Sequence, residues 1–345
     1  MTAYKISLIP GDGIGPEQTE ATIRVLERVR EAFGLNLEFV WTEAGDDCNR
    51  RRGSALPDDT IRVLETTDAC LKGPVGETAY DVIVNLRQMF DLYANLRPSR
   101  TYPGLKCLDP DTDLIVVREN TEDLYKGLEF EVGSSVIALR VTTSMACQRI
   151  ASKAFRIAEL RNRRKLVTAV HKANVLRKTC GLFAATCREE AKRHPDISFE
   201  EMYVDAAAMN LVRKPAHFDV LVTTNMFGDI LSDEAAAVVG GLGLAPSGNI
   251  GQEFALFEPV HGSAPDIAGK KIANPTSMLL SASMMFEWLG EKFGDSKCGA
   301  AAHSLEVGVI QALADRITTP DLGGNHTTQQ VAEAVAERIP LEVIG

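Results

Sequence analysis

Short apolar runs alternate with stretches of helical periodicity along almost the whole chain, and this alternation limits the fold more than any other feature. Residues 5–10 read as a strand, and within 17–33 the positions Ile23, Val25, Leu26, Val29 and Phe33 recur at helical spacing. A strand at 36–41, a helix at 58–65, a strand at 69–72 and a helical stretch at 78–93 continue the pattern. Residues 114–117, 166–170 and 220–224 read as further buried strands. Strands fed through helices in this order build a largely parallel sheet covered on both faces, so the class is α/β.

At 345 residues the chain exceeds what a single core usually serves, which leads us to expect two domains, or one discontinuous domain carrying an insertion. Its 37 basic against 47 acidic residues leave a formal charge of −10, and such a balance argues against a general nucleic-acid binder. No apolar run approaches the roughly 18 residues that a membrane span requires. Seven cysteines contain no C-x-x-C pair and lie in apolar segments, so they read as reduced, mostly buried thiols. With no secretory leader in the sequence, the expected compartment is the cytoplasm.

Two segments break the alternation. Between 127 and 143, apolar residues alternate around Gly133-Ser134-Ser135, which predicts a hairpin, and a lone ribbon must pack on something, a second subunit being a reasonable candidate. From 240 to 251 the glycines crowd around Pro246, which predicts a long loop or a crossing between domains.

Several constellations carry chemistry. Pro10-Gly11-Asp12-Gly13-Ile14-Gly15-Pro16-Glu17 follows a strand and opens a helix, but its spacing is not G-x-G-x-x-G, and no G-K-[ST] follows for a phosphate-binding kinase loop. A tight turn with Pro16 at the first helical position explains it equally well. Arg87, Arg97 and Arg118 would suit a di- or tricarboxylate if they converge, since planar guanidinium forks match carboxylates, whereas surface ion pairing explains most single arginines. Asp229 and Asp233, at i and i+4 among apolar neighbours just after a strand, suit Mg²⁺ or Mn²⁺ better than a solvated helix face. Lys172 follows another strand end, and near a metal such a lysine can serve as a base. The stretch from Glu258 to Asn274 is rich in proline, glycine and backbone donors and lacks core periodicity.

Together and in this order, these motifs resemble the metal-dependent β-decarboxylating dehydrogenases, the isocitrate/isopropylmalate dehydrogenase family, over essentially the whole length. The resemblance implies two α/β domains with a central cleft and a dimer-forming hairpin, not a Rossmann fold. Residues 1–98 with 241–345 would form the larger domain carrying the cofactor loop, and 99–240 the smaller one with the hairpin and metal ligands. It further implies that Arg87, Arg97 and Arg118 clamp the malate carboxylates and that Tyr125 and Lys172 form the acid/base pair. Asp205, Asp229 and Asp233 would hold Mg²⁺ or Mn²⁺. Glu258, His261, Gly262, Ser263, Ala264, Pro265, Asp266 and Asn274 would bind the cofactor, with Asp266 in the place where NAD enzymes hold the adenosine ribose and NADP enzymes carry lysine. In relatives the lysine and the first aspartate reach the neighbouring subunit's site, which implies a homodimer or a higher homo-oligomer. A non-catalytic regulatory subunit of an isocitrate dehydrogenase-like complex would be expected to lose these groups, and all are present.

The substrate follows from what precedes Arg87. Ile83 and Val84 stand one helical turn earlier, and their branched apolar side chains favour an alkyl substituent. A carboxylate there would lose water without gaining a partner, with Asp81 nearby adding repulsion. The expected reaction is the NAD-dependent oxidative decarboxylation of 3-isopropylmalate, as in leucine biosynthesis, with homoisocitrate or isocitrate as the alternative.

Overall fold

The computed structural model describes residues 3–340. Its strands are β1 (Ala3–Ile9), β2 (Asn36–Trp41), β3 (Ala69–Lys72), β4 (Ala94–Arg100), β5 (Asp113–Glu119), β6 (Glu129–Val132), β7 (Ser135–Ala138), β8 (Leu166–His171), β9 (Ser198–Tyr203), β10 (Val220–Thr223), β11 (Pro246–Ile250) and β12 (Ala255–Pro259). All but β6 and β7 join one 10-stranded sheet, ordered β2-β1-β3-β12-β11-β4-β5-β10-β8-β9. The outer blocks β2-β1-β3-β12 and β5-β10-β8-β9 are parallel within themselves, and the central neighbours β12, β11, β4 and β5 pair antiparallel. Helices cover both faces, as parallel strands buried on both sides demand.

Strand periodicity places the site. Ile115 and Val117 of β5, Val220 and Val222 of β10, Ala69 and Leu71 of β3, and Phe257 of β12 enter one large apolar cluster, with the helices Gly15–Phe33, Ser144–Arg161, Thr276–Phe293 and Ser296–Ala314 packed on it. Residues of the opposite parity enter two separate clusters on the other face. Cys70 and Leu256 join one, and Leu114, Val116 and Leu221 join the other. Between those clusters the same parity along the central strands reads Asn95, Arg97, Arg118, Ser247, Asn249 and Glu258, all buried. A polar stripe is thereby set between two apolar walls.

Two expectations need correction. The glycine-rich stretch 240–251 is not a loop throughout, since its second half is β11, buried in the middle of the sheet. Pro246 sits at the first residue of that strand, where proline is tolerated, and a Cβ on Gly248 would lie 3.1 Å from the Phe257 ring. The helical stretch at 78–93 is shorter and irregular, a π-helical turn Tyr80–Val84 running into an α-helix Asn85–Met89, and Ala94 already opens β4. The hairpin is present as β6 and β7, with Phe130, Val132, Val136 and Ile137 exposed, Val136 by 73%. The seven cysteines are free, and all but Cys107 are buried. Among the described residues no helix is long and apolar enough to cross a membrane.

Candidate active site

The three arginines converge. Arg118 at the end of β5 is 1% exposed, and its Nη1 donates to Asp229 Oδ1 at 2.5 Å while Nε and Nη2 donate to Asn225 Oδ1 at 3.0 and 2.7 Å. Arg97 Nη1 from β4 lies 3.3 Å from the same Asp229 oxygen and 3.1 Å from Asp233 Oδ1. Both aspartates belong to the helix Asn225–Val239, which starts two residues after β10. Its Gly228 is required, because a Cβ there would stand 2.6 Å from Arg118 Cγ. Burial, with Arg97 and Arg87 close by, pushes the Arg118 pKa down, so a polyanion entering here relieves repulsion among the cations. Burial would raise Asp229, but Arg118 and Arg97 outweigh it and hold the carboxyl below its ordinary range. Burial dominates at Asp233, which is raised.

Tyr125 stands on the same carboxylate. It lies in a 3₁₀ turn, Leu124–Lys126, capped by Asp123, and its hydroxyl donates to Asp229 Oδ2 at 2.5 Å. Burial and that hydrogen bond raise its pKa while Arg118, 5.1 Å from the ring centroid, opposes the shift, so the phenol is held protonated.

Arg87 reaches the stripe from the helix Asn85–Met89 and meets a buried network absent from the sequence reading. Its Nε donates to Asn249 Oδ1 at 3.0 Å, an oxygen that also accepts from Asn120 at 3.0 Å and Asn95 at 3.2 Å. Asn249 in turn donates to Glu258 at 2.9 Å. Lys72, 2% exposed, lies 2.7 Å from the other Glu258 oxygen, and Arg87 Nη2 is 3.5 Å from the carboxylate. Burial alone raises Glu258, yet Lys72 and Arg87 hold it below its ordinary value. The first residue of the expected cofactor loop is therefore tied to an arginine of the expected clamp. A polar residue at every second position of β4 and β11 was the available signal for Asn95 and Asn249.

The remainder of that loop seats on the glycine turn. Ile14 N–H donates to Ser263 O at 2.9 Å, and a Cβ on Gly13, at φ +58, would fall 2.0 Å from that oxygen. Gln18 Nε2 donates to Asn274 O at 2.7 Å and contacts His261 Nε2 at 3.1 Å. Burial lowers the His261 pKa, keeping the ring neutral. Asp12 accepts from the N–H groups of Asp46, Asp47 and Gly76, so the turn also fixes the approach to Tyr80–Val84. Asp266 is exposed, as are Gly262 and Pro265, and Ala264 is half-buried between them. The glycine turn is thus a dock for the loop.

Lys172 and Asp205 lie elsewhere. Lys172 follows β8, Asp205 opens the helix Val204–Arg213, and the two form an exposed ion pair that lowers the Asp205 pKa. Among the described residues no hydrogen bond or ion pair joins this pair to Tyr125, Asp229 or Asp233. Among the described residues of a single chain, no three His, Cys, Asp or Glu side chains cluster as a metal site. Asp229 and Asp233 still fit Mg²⁺ or Mn²⁺, which use one or two carboxylates and take remaining oxygens from water and substrate. Ile83 packs on the apolar cluster around Val82 and Leu86, and Val84 is buried outside all three clusters. Tyr80, on the Val84 side of the turn, reaches Gly127, where a Cβ would lie 2.2 Å from its hydroxyl.

An α/β sheet interrupted by a stripe of buried arginines, faced by the more open carboxylates of Asp229 and Asp233 and the Tyr125 phenol, defines an enzyme that handles a polyanionic organic acid. Residues 5–335 match the isocitrate/isopropylmalate dehydrogenase family, and the chain belongs to it. It is 54% identical to the 3-isopropylmalate/3-methylmalate dehydrogenase of Methanocaldococcus jannaschii, the match covering 97% of this chain and 99% of that one. It is 50% identical to the isocitrate/homoisocitrate dehydrogenase of Thermus thermophilus, covering 98% and 99%. The solved isocitrate dehydrogenase of Methylococcus capsulatus superposes with a TM-score of 0.91 at 43% identity, covering 97% of this chain and 99% of that one.

Proposed function

We propose that this oxidoreductase oxidises the 2-hydroxyl of 3-isopropylmalate with NAD and releases the 3-carboxylate as CO₂, leaving 4-methyl-2-oxopentanoate. The observation that carries the reading is the juxtaposition of Arg87, Arg97 and Arg118 with an approach, Tyr80–Val84, that offers no cation for a third carboxylate. The alkyl substituents in the name of the Methanocaldococcus relative agree with it. Each matched methylene is worth on the order of 1–3 kcal/mol, so 3-methylmalate is expected to be tolerated.

In this reading the three guanidiniums bind the malate carboxylates and fix the C2–C3 bond. NAD, on the loop from Glu258 to Asn274, would accept the hydride, and Mg²⁺ or Mn²⁺ held by Asp229 and Asp233 would polarise the C2 oxygen as a Lewis acid. A second copy would bring Lys172 and Asp205, the lysine taking the hydroxyl proton directly or through water. The ketone so formed stands β to the 3-carboxylate, whose C–C bond breaks with its electron pair entering the enolate. Tyr125 then delivers its proton to C3. Exposed Asp266 would accept from the adenosine ribose and repel a 2′-phosphate. We also infer that residues 1–98 with 241–345 act as one α/β domain and 99–240 as the other, Arg118 being the residue of the stripe that the second domain supplies.

The test is kcat/KM for 3-isopropylmalate, 3-methylmalate, homoisocitrate and isocitrate, each with NAD and NADP. A larger value for isocitrate or homoisocitrate overturns the substrate, and a preference for NADP overturns the role given to Asp266.

A further inference from the structure

Asp123 holds a backbone conformation, φ 68° and ψ −148°, that is essentially reserved for glycine, and it is 2% exposed. Its surroundings supply a reason. One carboxylate oxygen accepts from Leu124 N–H at 3.0 Å and so caps the turn carrying Tyr125. The other accepts from Arg140 Nη2 at 2.9 Å and from Met226 N–H at 3.3 Å, at the start of the helix carrying Asp229. The Asp123 backbone also pairs with Val141, its N–H donating to Val141 O at 2.9 Å.

Arg140 completes the joint. It directly follows the exposed hairpin, its side chain is 11% exposed, and it donates to Thr224 Oγ1 at 2.6 Å while its guanidinium lies 4.7 Å from the centre of the Phe227 ring. Three separate pieces therefore meet at one buried ion pair: the foot of the hairpin, the turn of Tyr125 and the first turn of the Asp229 helix.

We propose that Asp123 and Arg140 are positioning residues, whose ion pair fixes hairpin, turn and helix as one body and thereby sets the 2.5 Å hydrogen bond from Tyr125 to Asp229. A tyrosine on a three-residue 3₁₀ turn has few restraints of its own. In this strained backbone conformation one carboxylate faces all three pieces. Neither residue touches the substrate in the reading above, and their effect passes through Tyr125. The kinetic consequence rests on the acid role proposed for Tyr125.

The test uses the full chain as Asp123→Asn, which keeps an acceptor for Leu124, as Arg140→Met, and as the double variant. Each is measured for kcat and KM and, without substrate, for the ¹⁹F resonance of 3-fluorotyrosine placed at 125. Both single variants should displace the resonance and lower kcat by roughly 10- to 100-fold with KM almost unchanged, and the double variant should be no slower than the slower single one. An undisplaced resonance in either folded single variant overturns the joint, as do single losses that multiply in the double variant. A displaced resonance with full kcat supports the joint and counts instead against Tyr125 as the acid. If Arg140→Met does not fold, Arg140→Lys serves in its place with the same expectations, because the ammonium cannot reproduce the fork to Asp123 and Thr224.

Discussion

Tyr125 and Arg118 share one carboxylate: the phenol donates to Asp229 Oδ2 and the guanidinium to Asp229 Oδ1, each at 2.5 Å. The tyrosine is thus held in register with the arginine expected to bind substrate. With burial keeping the phenol protonated, it is placed to give a proton rather than to take one.

Tyr125→Phe removes that proton and leaves the guanidiniums in place. General acid catalysis contributes about 10²–10⁴-fold, so kcat should fall by at least 100-fold with KM for 3-isopropylmalate little changed. Steady-state kinetics decide it. A variant with near-normal kcat takes the acid role away from Tyr125.

Much of this site is legible in the sequence. Arg118 ends a strand whose alternate residues are apolar, and Asp229 and Asp233 share a helix face, so both follow from period 2 and period 3.6 alone. Asn249 was hidden because Pro246 and the surrounding glycines outweigh a five-residue strand pattern, and sheet pairing through β12 and β4 overrides those local signals. Lys72 was hidden because it looks like any strand-end lysine, and only the fold brings Glu258 against it. The π-helical turn at Tyr80–Val84 has no signature in the apolar spacing.

Glu258 links the cofactor loop to Arg87, and it should report on acid stability. Its folded pKa is depressed below the ordinary 4.5, so the folded state binds fewer protons there than the unfolded chain. Its contribution is complete above 4.5 and is lost as pH falls through the folded value. Glu258→Gln leaves Lys72 and Arg87 buried without their counter-ion, at a cost of about 3–5 kcal/mol at neutral pH. Urea midpoints measured against pH should therefore show a lower plateau for the variant and a shallower loss in the acid window. Parallel curves would mean that the ion pair is not what holds the network.

Asp229 and Asp233 predict a metal requirement. Exhaustive chelation should abolish turnover, and adding Mg²⁺ to the chelated protein should raise Tm, by an amount corresponding to about 2.7 kcal/mol when the free ion is 100-fold above its Kd. Asp229→Asn should abolish most of that rise. Full turnover after chelation, or an equal Tm rise in the variant, removes these carboxylates as ligands.

Lys172 and Asp205 sit apart from Tyr125 and Asp229, and the exposed apolar hairpin offers a surface for a second copy to cover. If the site is completed across a two-fold interface, each active centre needs Tyr125 of one chain and Lys172 of the other. Lys172→Met and Tyr125→Phe chains should each be nearly inactive alone. Unfolded together and refolded in equal amounts, half of the dimers are hybrids, and each hybrid carries one site with both intact residues and one with neither. Roughly a quarter of the wild-type activity should return. Native mass spectrometry verifies that hybrids have formed, and hybrids without recovered activity would place Lys172 and Tyr125 in the site of a single chain.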